Sequence, residues 1–373
     1  MRIIIVGGGV IGTMHAYEAV ARGHEVVHLE REREARGASV RNFGLVWVSG
    51  RSSGLELSTA LRARELWEAI GAEVPGVGFR PTGSLTLCRS DAEVAVAEHA
   101  VSTSDSGERG FTLLDPGAAR ALNPLLRGDF MAALHCTTDA AVESRVALPA
   151  LRAHLTASGR YTYLPGREVR DVSTGEVRDD HGEVHRGDQV VLATGAWLSG
   201  LVRELAGPAL PVRRVRLQMM QTAPLGERLT TAVADGDSFR YYPGFDSPAR
   251  DRMAAVQRQP EIAAAHKMQL LVVQRLDGGL TIGDTHEYDE PFAFDVVEEP
   301  YDHLRAVAEE LLGRPLPRVR RRWAGVYAQA TEPGRIVHRQ SLDEGVLLVT
   351  GPGGRGMTCS PAIAETTAAE LGW

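Results

Sequence analysis

Arg2-Ile3-Ile4-Ile5-Val6-Gly7-Gly8-Gly9-Val10-Ile11-Gly12, running on through Arg22-Gly23 to Glu25-Val26-Val27-His28-Leu29-Glu30, decides how this chain folds. Arg2 to Val6 is a short run rich in Ile and Val, the pattern of a strand buried on both faces. The glycines that follow spell G-x-G-x-x-G in the context that gives the motif meaning, directly after a strand and opening a helix. Gly7 permits a tight turn, Gly9 lets backbone approach a pyrophosphate, and Gly12 lets the helix pack closely on the sheet. The helix N-terminus, with Val10 and Ile11 in its first turn, offers N–H groups and partial positive charge to phosphates. Gly23 ends the helix as a C′ residue. Glu30 closes the second strand eighteen residues beyond Gly12, where an acid accepts hydrogen bonds from a ribose.

Composition narrows the field. The 373 residues are 43% apolar, enough for two domains with full cores. A formal net charge of −7 gives no support for nucleic acid or an anionic membrane as partner. No apolar run approaches the ~20 residues of a membrane span. The dinucleotide motif opens the chain, so a cleaved signal peptide would carry the fold away with it, and a cytoplasmic protein is expected. Cys88, Cys136 and Cys359 lack C-x-x-C spacing, which gives neither a zinc cluster nor a disulfide framework. Lys267 is the single lysine among 41 basic residues. That bias reads as genomic composition and weakens any argument from the mere presence of an arginine.

Outward from the motif, Arg41-Asn42-Phe43-Gly44-Leu45-Val46-Trp47 is an apolar, aromatic patch with an embedded glycine, suited to backbone lying against a cofactor. Helical periodicity marks Leu55 to Ile70, Asp91 to Ser102, Asp115 to Leu122, Glu143 to Ser158 and Tyr301 to Leu312. Gly78 to Leu87 reads as paired strands around a Pro/Gly turn. Leu217 to Thr222, Phe239 to Tyr242, Leu270 to Gln274 and Leu280 to Asp284 read as four strands. Two further buried strands run into glycine turns, at Ala193-Thr194-Gly195-Ala196-Trp197 and at Thr350-Gly351-Pro352-Gly353-Gly354-Arg355-Gly356-Met357-Thr358. In an open α/β sheet such turns lie at the carboxyl edge, where ligands bind. The expected organisation is an α/β dinucleotide-binding domain from residues 1–76, 140–215 and 325–373, interleaved with a β-rich substrate domain from 77–139 and 216–324.

These motifs, with Arg322-Trp323-Ala324-Gly325, resemble the D-amino acid oxidase superfamily of FAD-dependent amine oxidases, which includes glycine and sarcosine oxidases. The resemblance covers nearly the whole chain. More narrowly, Ala38-Ser39-Val40-Arg41-Asn42-Phe43-Gly44, Leu217-Gln218-Met219-Met220 and Gly283-Asp284-Thr285-His286-Glu287-Tyr288 resemble a clade associated with aminophosphonate breakdown. The resemblance implies a Rossmann-type FAD-binding domain with an α+β substrate domain on a mostly antiparallel sheet. It implies FAD on Gly7, Gly9, Val10, Ile11, Gly12, Glu30 and Arg31, then on Ser39, Arg41, Asn42, Gly44 and Leu45. Val169, Thr194, Gly195 and Trp197 would complete the nucleotide end, and Gly353, Gly354, Arg355, Gly356, Met357 and Thr358 the flavin end. The implied reaction is oxidation of a small amine, with hydride passing to flavin, oxygen as acceptor and imine hydrolysis following; no general base is required if the amine enters neutral.

Three departures from the family pattern matter. Amino-acid-oxidising relatives carry an arginine after W-x-G that grips a carboxylate; Tyr327 stands there instead. No cysteine lies near Val326, so FAD is expected to be non-covalent. Thr281 occupies the place of an oxygen-activating lysine. Substrate-pocket candidates are Tyr327, Arg355, Gln218, Met220, His286, Arg240 and Trp47, each with an ordinary structural alternative: core packing for Gln218, Met220 and Trp47, an ordinary half-buried position for Tyr327, surface positions for His286 and Arg240, a solvated loop for Arg355. The expected activity is oxidation of a primary or secondary amine bearing an anionic group. Its rivals are a dehydrogenase with another acceptor or a 2-hydroxy acid substrate, and a flavin-binding redox sensor without turnover.

Overall fold

A computed structural model describes residues 1–373. Its first layer is a six-stranded sheet in the order His338–Asp343, Val346–Thr350, Gln189–Leu192, Arg2–Val6, Glu25–Glu30, Tyr161–Pro165. All neighbours are parallel except the antiparallel edge strand His338–Asp343. Both faces of the central strands are covered, which is why Arg2–Val6, Gln189–Leu192 and Val346–Thr350 are nearly continuous apolar runs. Ile3 and Ile5 face a core built with helices Val10–Ala21, Leu55–Glu73, Ala147–Ala157 and Gly356–Leu371. Ile4 and Val6 face the opposite side, closed by the antiparallel sheet Val169–Ser173, Glu176–Asp179 and Val184–Arg186. Each aliphatic side chain fully buried there contributes about 1.5–3 kcal/mol.

The second layer is an eight-stranded sheet in the order Val319–Ala330, Val212–Pro224, Gly279–Gly283, Leu271–Gln274, Ala232–Ala234, Ser84–Cys88, Ala132–Cys136, Phe111–Leu114. Its only parallel pair is Ala232–Ala234 with Ser84–Cys88. One face packs against helix Glu299–Leu312 through Met220, Leu280 and Ile282. The other, with Leu217, Met219 and Tyr327, turns toward the first layer. Strands Val212–Pro224 and Val319–Ala330 pair from Val212–Ala330 to Thr222–Val319 and form the long ribbon of this sheet.

That ribbon corrects the expected boundaries near 215 and 325, because both fall inside unbroken strands. Two local readings also change. Phe239 to Tyr242, aromatic enough for a strand, lies within the short helix Asp237–Tyr241 and the residue after it. Gly78 to Leu87 is not a hairpin: Ser84–Cys88 is a strand, and its partners are remote. Tertiary pairing overrides local propensity in both places.

Candidate functional site

The two layers enclose a cavity of about 850 Å³. It runs from the carboxyl edge of the parallel sheet to the inner face of the large sheet. The glycine turn floors its first end. Gly7 has φ +110°, and a Cβ there would stand 2.3 Å from the Ala193 carbonyl oxygen. A Cβ on Gly12 would stand 2.0 Å from the Gly7 oxygen, so helix and turn touch backbone to backbone. His28 fixes that turn from below. Its Nε2 donates to the Gly7 oxygen at 2.9 Å, and its Nδ1 accepts from the Tyr161 hydroxyl at 2.8 Å. Burial lowers the His28 pKa to about 4, so the ring is neutral.

Gly7, Gly9, Val10 and Ile11 line the cavity, with Ser39 Oγ accepting from the Val10 N–H at 2.9 Å. Glu30 also lines it; its two oxygens accept from the Gly8 and Glu32 N–H groups at 2.6 and 2.9 Å, leaving lone pairs for hydroxyl donors. Arg31, Arg36, Arg41, Arg167 and Arg170 supply positive charge along the same walls. Arg31 lies over the half-exposed Trp197 ring at 4.0 Å, so the two close one side of this end. Arg167 is held by Asp179 at 2.9 Å. The same carboxylate also meets His185 at 3.0 Å. Asp179, buried, thus offsets the Arg167 charge, and the net positive charge of these walls rests on the other arginines. A glycine floor too tight for side chains, a helix N-terminus, an acid on the second strand and flanking arginines together suit a dinucleotide diphosphate and ribose.

Val169, Thr194, Gly195, Trp197, Arg41, Asn42, Gly353, Gly354, Arg355, Gly356 and Met357 line the cavity as well. Four sequence candidates do not. Gly12 packs behind the turn. Gly44, at φ +71°, lies against the Val142 oxygen. Leu45 pairs with Ala141. Thr358 spends its hydroxyl on the Trp47 N–H at 2.9 Å. They brace the site from outside.

The far end is walled by Leu217, Met219, Tyr241, Tyr242, Tyr288 and Tyr327, with Gln269, Asp284 and His286 between them. Tyr327 and His286 thus line the cavity, as the sequence suggested. Gln218 and Met220 do not. They project to the opposite face of their strand, where Met220 joins the core and Gln218 Oε1 accepts from the Val297 N–H at 3.0 Å. Strand parity puts Leu217 and Met219 in the cavity instead. Arg240 is spent on Asp237 at 2.9 Å and on the Gln257 carbonyl, and its neighbours Tyr241 and Tyr242 take the lining positions. Trp47 is buried against Tyr242, ring centres 5.7 Å apart, without reaching the cavity.

Besides Leu217, Met219, Tyr241, Tyr242, Gln269, Asp284 and Tyr288, two charged lining residues were absent from the sequence candidates. Arg51 and Glu56 sit in a Ser/Gly-rich stretch and at a helix start, with nothing local to mark them. Glu56 lies 3.6 Å from Arg51 and 3.4 Å from Arg355, and accepts from Ser52 Oγ at 2.7 Å. Two guanidinium groups thus share one carboxylate on the cavity wall, and one positive charge is left over. All three cysteines are buried, and none belongs to the cavity lining. Thr281 is buried in the sheet, outside that lining. No helix is long and apolar enough to cross a membrane.

Known proteins carry this architecture. A solved structure of glycine oxidase from Geobacillus kaustophilus superposes with a TM-score of 0.78 at 21% identity, over 100% of this chain and 95% of that one. In sequence, the Geobacillus kaustophilus glycine oxidase is 28% identical over 244 residues, 62% of this chain and 64% of that protein. Glycine oxidase from Pseudomonas aeruginosa is 27% identical over 383 residues, 98% of this chain and 93% of that protein. D-amino acid dehydrogenase 2 from Mesorhizobium japonicum is 25% identical over 429 residues, 96% of this chain and 93% of that protein. The family model described as FAD dependent oxidoreductase, DAO, matches residues 2–370, and the chain belongs to that FAD-dependent family.

Proposed function

We propose that this protein oxidises a primary or secondary amine that carries an anionic group, with an aminophosphonate or its N-alkylated form as the narrower assignment. The observation that supports it most is the unbalanced charge at Arg51, Glu56 and Arg355, which leaves one positive charge on the cavity wall for an anion to meet. A second support is Tyr327, which occupies the place where a carboxylate-gripping arginine would stand. The anion is then met from another wall, and the tetrahedral, multiply charged phosphonate suits two guanidinium groups better than a planar clamp does.

Gly7, Gly9, Val10 and Ile11 would hold the FAD diphosphate, Glu30 the adenosine ribose, and Arg41, Asn42 and the Gly353–Met357 backbone the flavin end. Bound FAD supplies a two-electron oxidant that takes hydride from the carbon beside the amine. The protein's part is placement. Arg51 and Arg355 anchor one end of the substrate, and the four tyrosines exclude water around the other. The product imine hydrolyses to an aldehyde or keto compound, and oxygen, as acceptor, leaves as peroxide.

A second reading, a dehydrogenase passing electrons to another acceptor, is favoured by the likeness to D-amino acid dehydrogenase 2 and by Thr281 where a lysine would assist oxygen. Anaerobic mixing with 2-aminoethylphosphonate, its N-methyl form, glycine, sarcosine and D-alanine tests the proposal, with ethylamine as the amine that lacks an anion. Bleaching of the flavin by an anionic amine, and not by ethylamine, is the expected result. Reoxidation on admitting air then assigns the acceptor. Failure of every amine to bleach the flavin overturns the reading.

A further inference from the structure

At the far end of the cavity stand two side chains whose acceptor atoms the protein leaves unfilled. Gln269 and Asp284 face each other across adjacent strands, each backbone N–H donating to the other's carbonyl. Both line the cavity, at 2% and 5% exposure. Gln269 Nε2 donates to the Tyr242 hydroxyl at 2.9 Å and only reaches Asp284 Oδ1 at 3.4 Å; Gln269 Oε1 has no partner. Asp284 Oδ2 lies 3.8 Å from His286 Nε2. A carboxylate this buried ordinarily collects two or three good hydrogen bonds. This one has none shorter than 3.4 Å among its side-chain contacts.

His286 sharpens the point. Its Nδ1 lies 3.0 Å from the Lys267 carbonyl oxygen, which can only accept, so Nδ1 carries a hydrogen. A neutral ring then turns the Nε2 lone pair toward the Asp284 carboxylate, an unfavourable contact. Adding one proton, on Nε2 or on Asp284, converts it to an ion pair or an O–H···N contact. The arrangement is therefore one proton short of a favourable contact.

We infer that the Asp284–His286 pair, with Gln269 Oε1 beside it, receives the substrate's ammonium group and takes one proton from it, so that the amine is neutral when its carbon gives up hydride. The inference rests on the amine-oxidising reading above. In the step, one N–H bond of the ammonium breaks and its electron pair stays on nitrogen. The proton bonds to an Asp284 carboxylate oxygen. The hydride, with two electrons, then leaves carbon for the bound FAD, and the nitrogen lone pair becomes the second bond of the imine. Arg51 lines the same cavity, so the cation and the anion of a zwitterionic substrate each find an opposite charge.

The tyrosines around the pair do not compete for the proton, and the nearest cations favour its release to solvent once the amine has reacted. Tyr241 stacks on His286 with ring centres 4.1 Å apart, and Tyr288 lies 6.4 Å away. Burial pushes Tyr241, Tyr242 and Tyr327 above their ordinary range, so these hydroxyls stay protonated. Lys267 Nζ and the Arg213 guanidinium both sit on the Tyr288 ring, at 4.4 and 4.3 Å, and set a cationic rim behind it. Burial raises the Asp284 carboxyl above its usual range, with His286 opposing, which moves it toward the pH where a base works best.

The test is the pH dependence of anaerobic flavin bleaching by the amine that reduces the wild-type holoenzyme fastest. In the wild type the rate reaches its plateau well below the amine's own pKa. In Asp284→Asn the amine must lose its proton to solvent, and the rate keeps rising to the amine pKa of about 10. At pH 7.5 only about 1/300 of such an amine is neutral, so a loss on the order of 100-fold is expected there, shrinking to within about threefold at pH 10. Asp284→Glu restores the low-pH plateau and serves if Asp284→Asn fails to fold. Gln269→Leu weakens apparent binding without moving the profile. Bleaching in both proteins with parallel profiles overturns this assignment alone; a wild type that no amine bleaches overturns the amine reading itself.

Discussion

Acidification is the perturbation that the structure answers most quantitatively. His28 clamps the glycine turn, and His15, in the following helix, donates from Nδ1 to the Ile11 oxygen at 2.7 Å. Burial lowers both from 6.5 to about 4. The folded state thus holds both rings neutral, and the unfolded chain protonates them at about 6.5. Their contribution is complete above pH 6.5 and is lost as pH falls toward 4. For one such histidine, the linkage between pH 7 and pH 5 amounts to about 2 kcal/mol, or about 4 kcal/mol for the pair. That is a large fraction of an ordinary domain's 5–15 kcal/mol. Urea unfolding of the wild type, His28→Gln and a His15→Leu/His28→Gln double variant at the two pH values measures it. His28→Gln should lose less stability between pH 7 and pH 5 than the wild type does, by about 2 kcal/mol, and the double variant less again. Flavin release should follow the same pH window, because His28 holds the Gly7 oxygen. Equal losses in all three proteins would refute the reasoning.

Three other outcomes follow from the geometry. Gly12→Ala forces a Cβ to within 2.0 Å of the Gly7 oxygen, both on backbone that cannot yield, and should cost FAD affinity at least about 100-fold by fluorescence titration, whereas Gly107→Ala, outside the cavity lining and with nothing within 4 Å of its Cβ, should bind FAD as the wild type does. Met220→Ala opens the core beneath helix Glu299–Leu312 and should lower stability by about 2–5 kcal/mol without altering amine preference, while Leu217→Ala, on the cavity face, should alter the preference. Arg51→Met removes the surplus guanidinium and should raise the apparent Kd of anionic amines about 10- to 100-fold while leaving FAD affinity unchanged, as read by saturation of the bleaching rate.

The nucleotide end was legible in the sequence because its constraints are local. Gly7 and Gly12 are required by contacts within one strand–turn–helix unit, and that unit is written contiguously. The far end was much less legible. In Leu217-Gln218-Met219-Met220 both faces of the strand are buried, so no alternation tells which face meets the cavity, and the choice of Gln218 and Met220 fell on the wrong one. Phe239 to Tyr242 carries strand formers but lies in a one-turn helix, and that turn presents Tyr241 and Tyr242 rather than Arg240. Arg51 and Glu56 gain meaning only from Arg355, some three hundred positions away. Asp284 stood within a quoted motif, yet the role proposed for it rests on the orphaned Gln269 oxygen and the orientation of His286, which only the assembled sheet provides.

Single-turnover product analysis tests the central claim most directly. The holoenzyme, held without oxygen, is mixed with the amine that bleaches it, and carbonyl product is counted against flavin reduced. One aldehyde or keto compound per reduced flavin, with release of ammonia or an alkylamine, is the result this account predicts. A flavin that bleaches without carbonyl product, or with a 2-hydroxy acid in place of the amine, would contradict it.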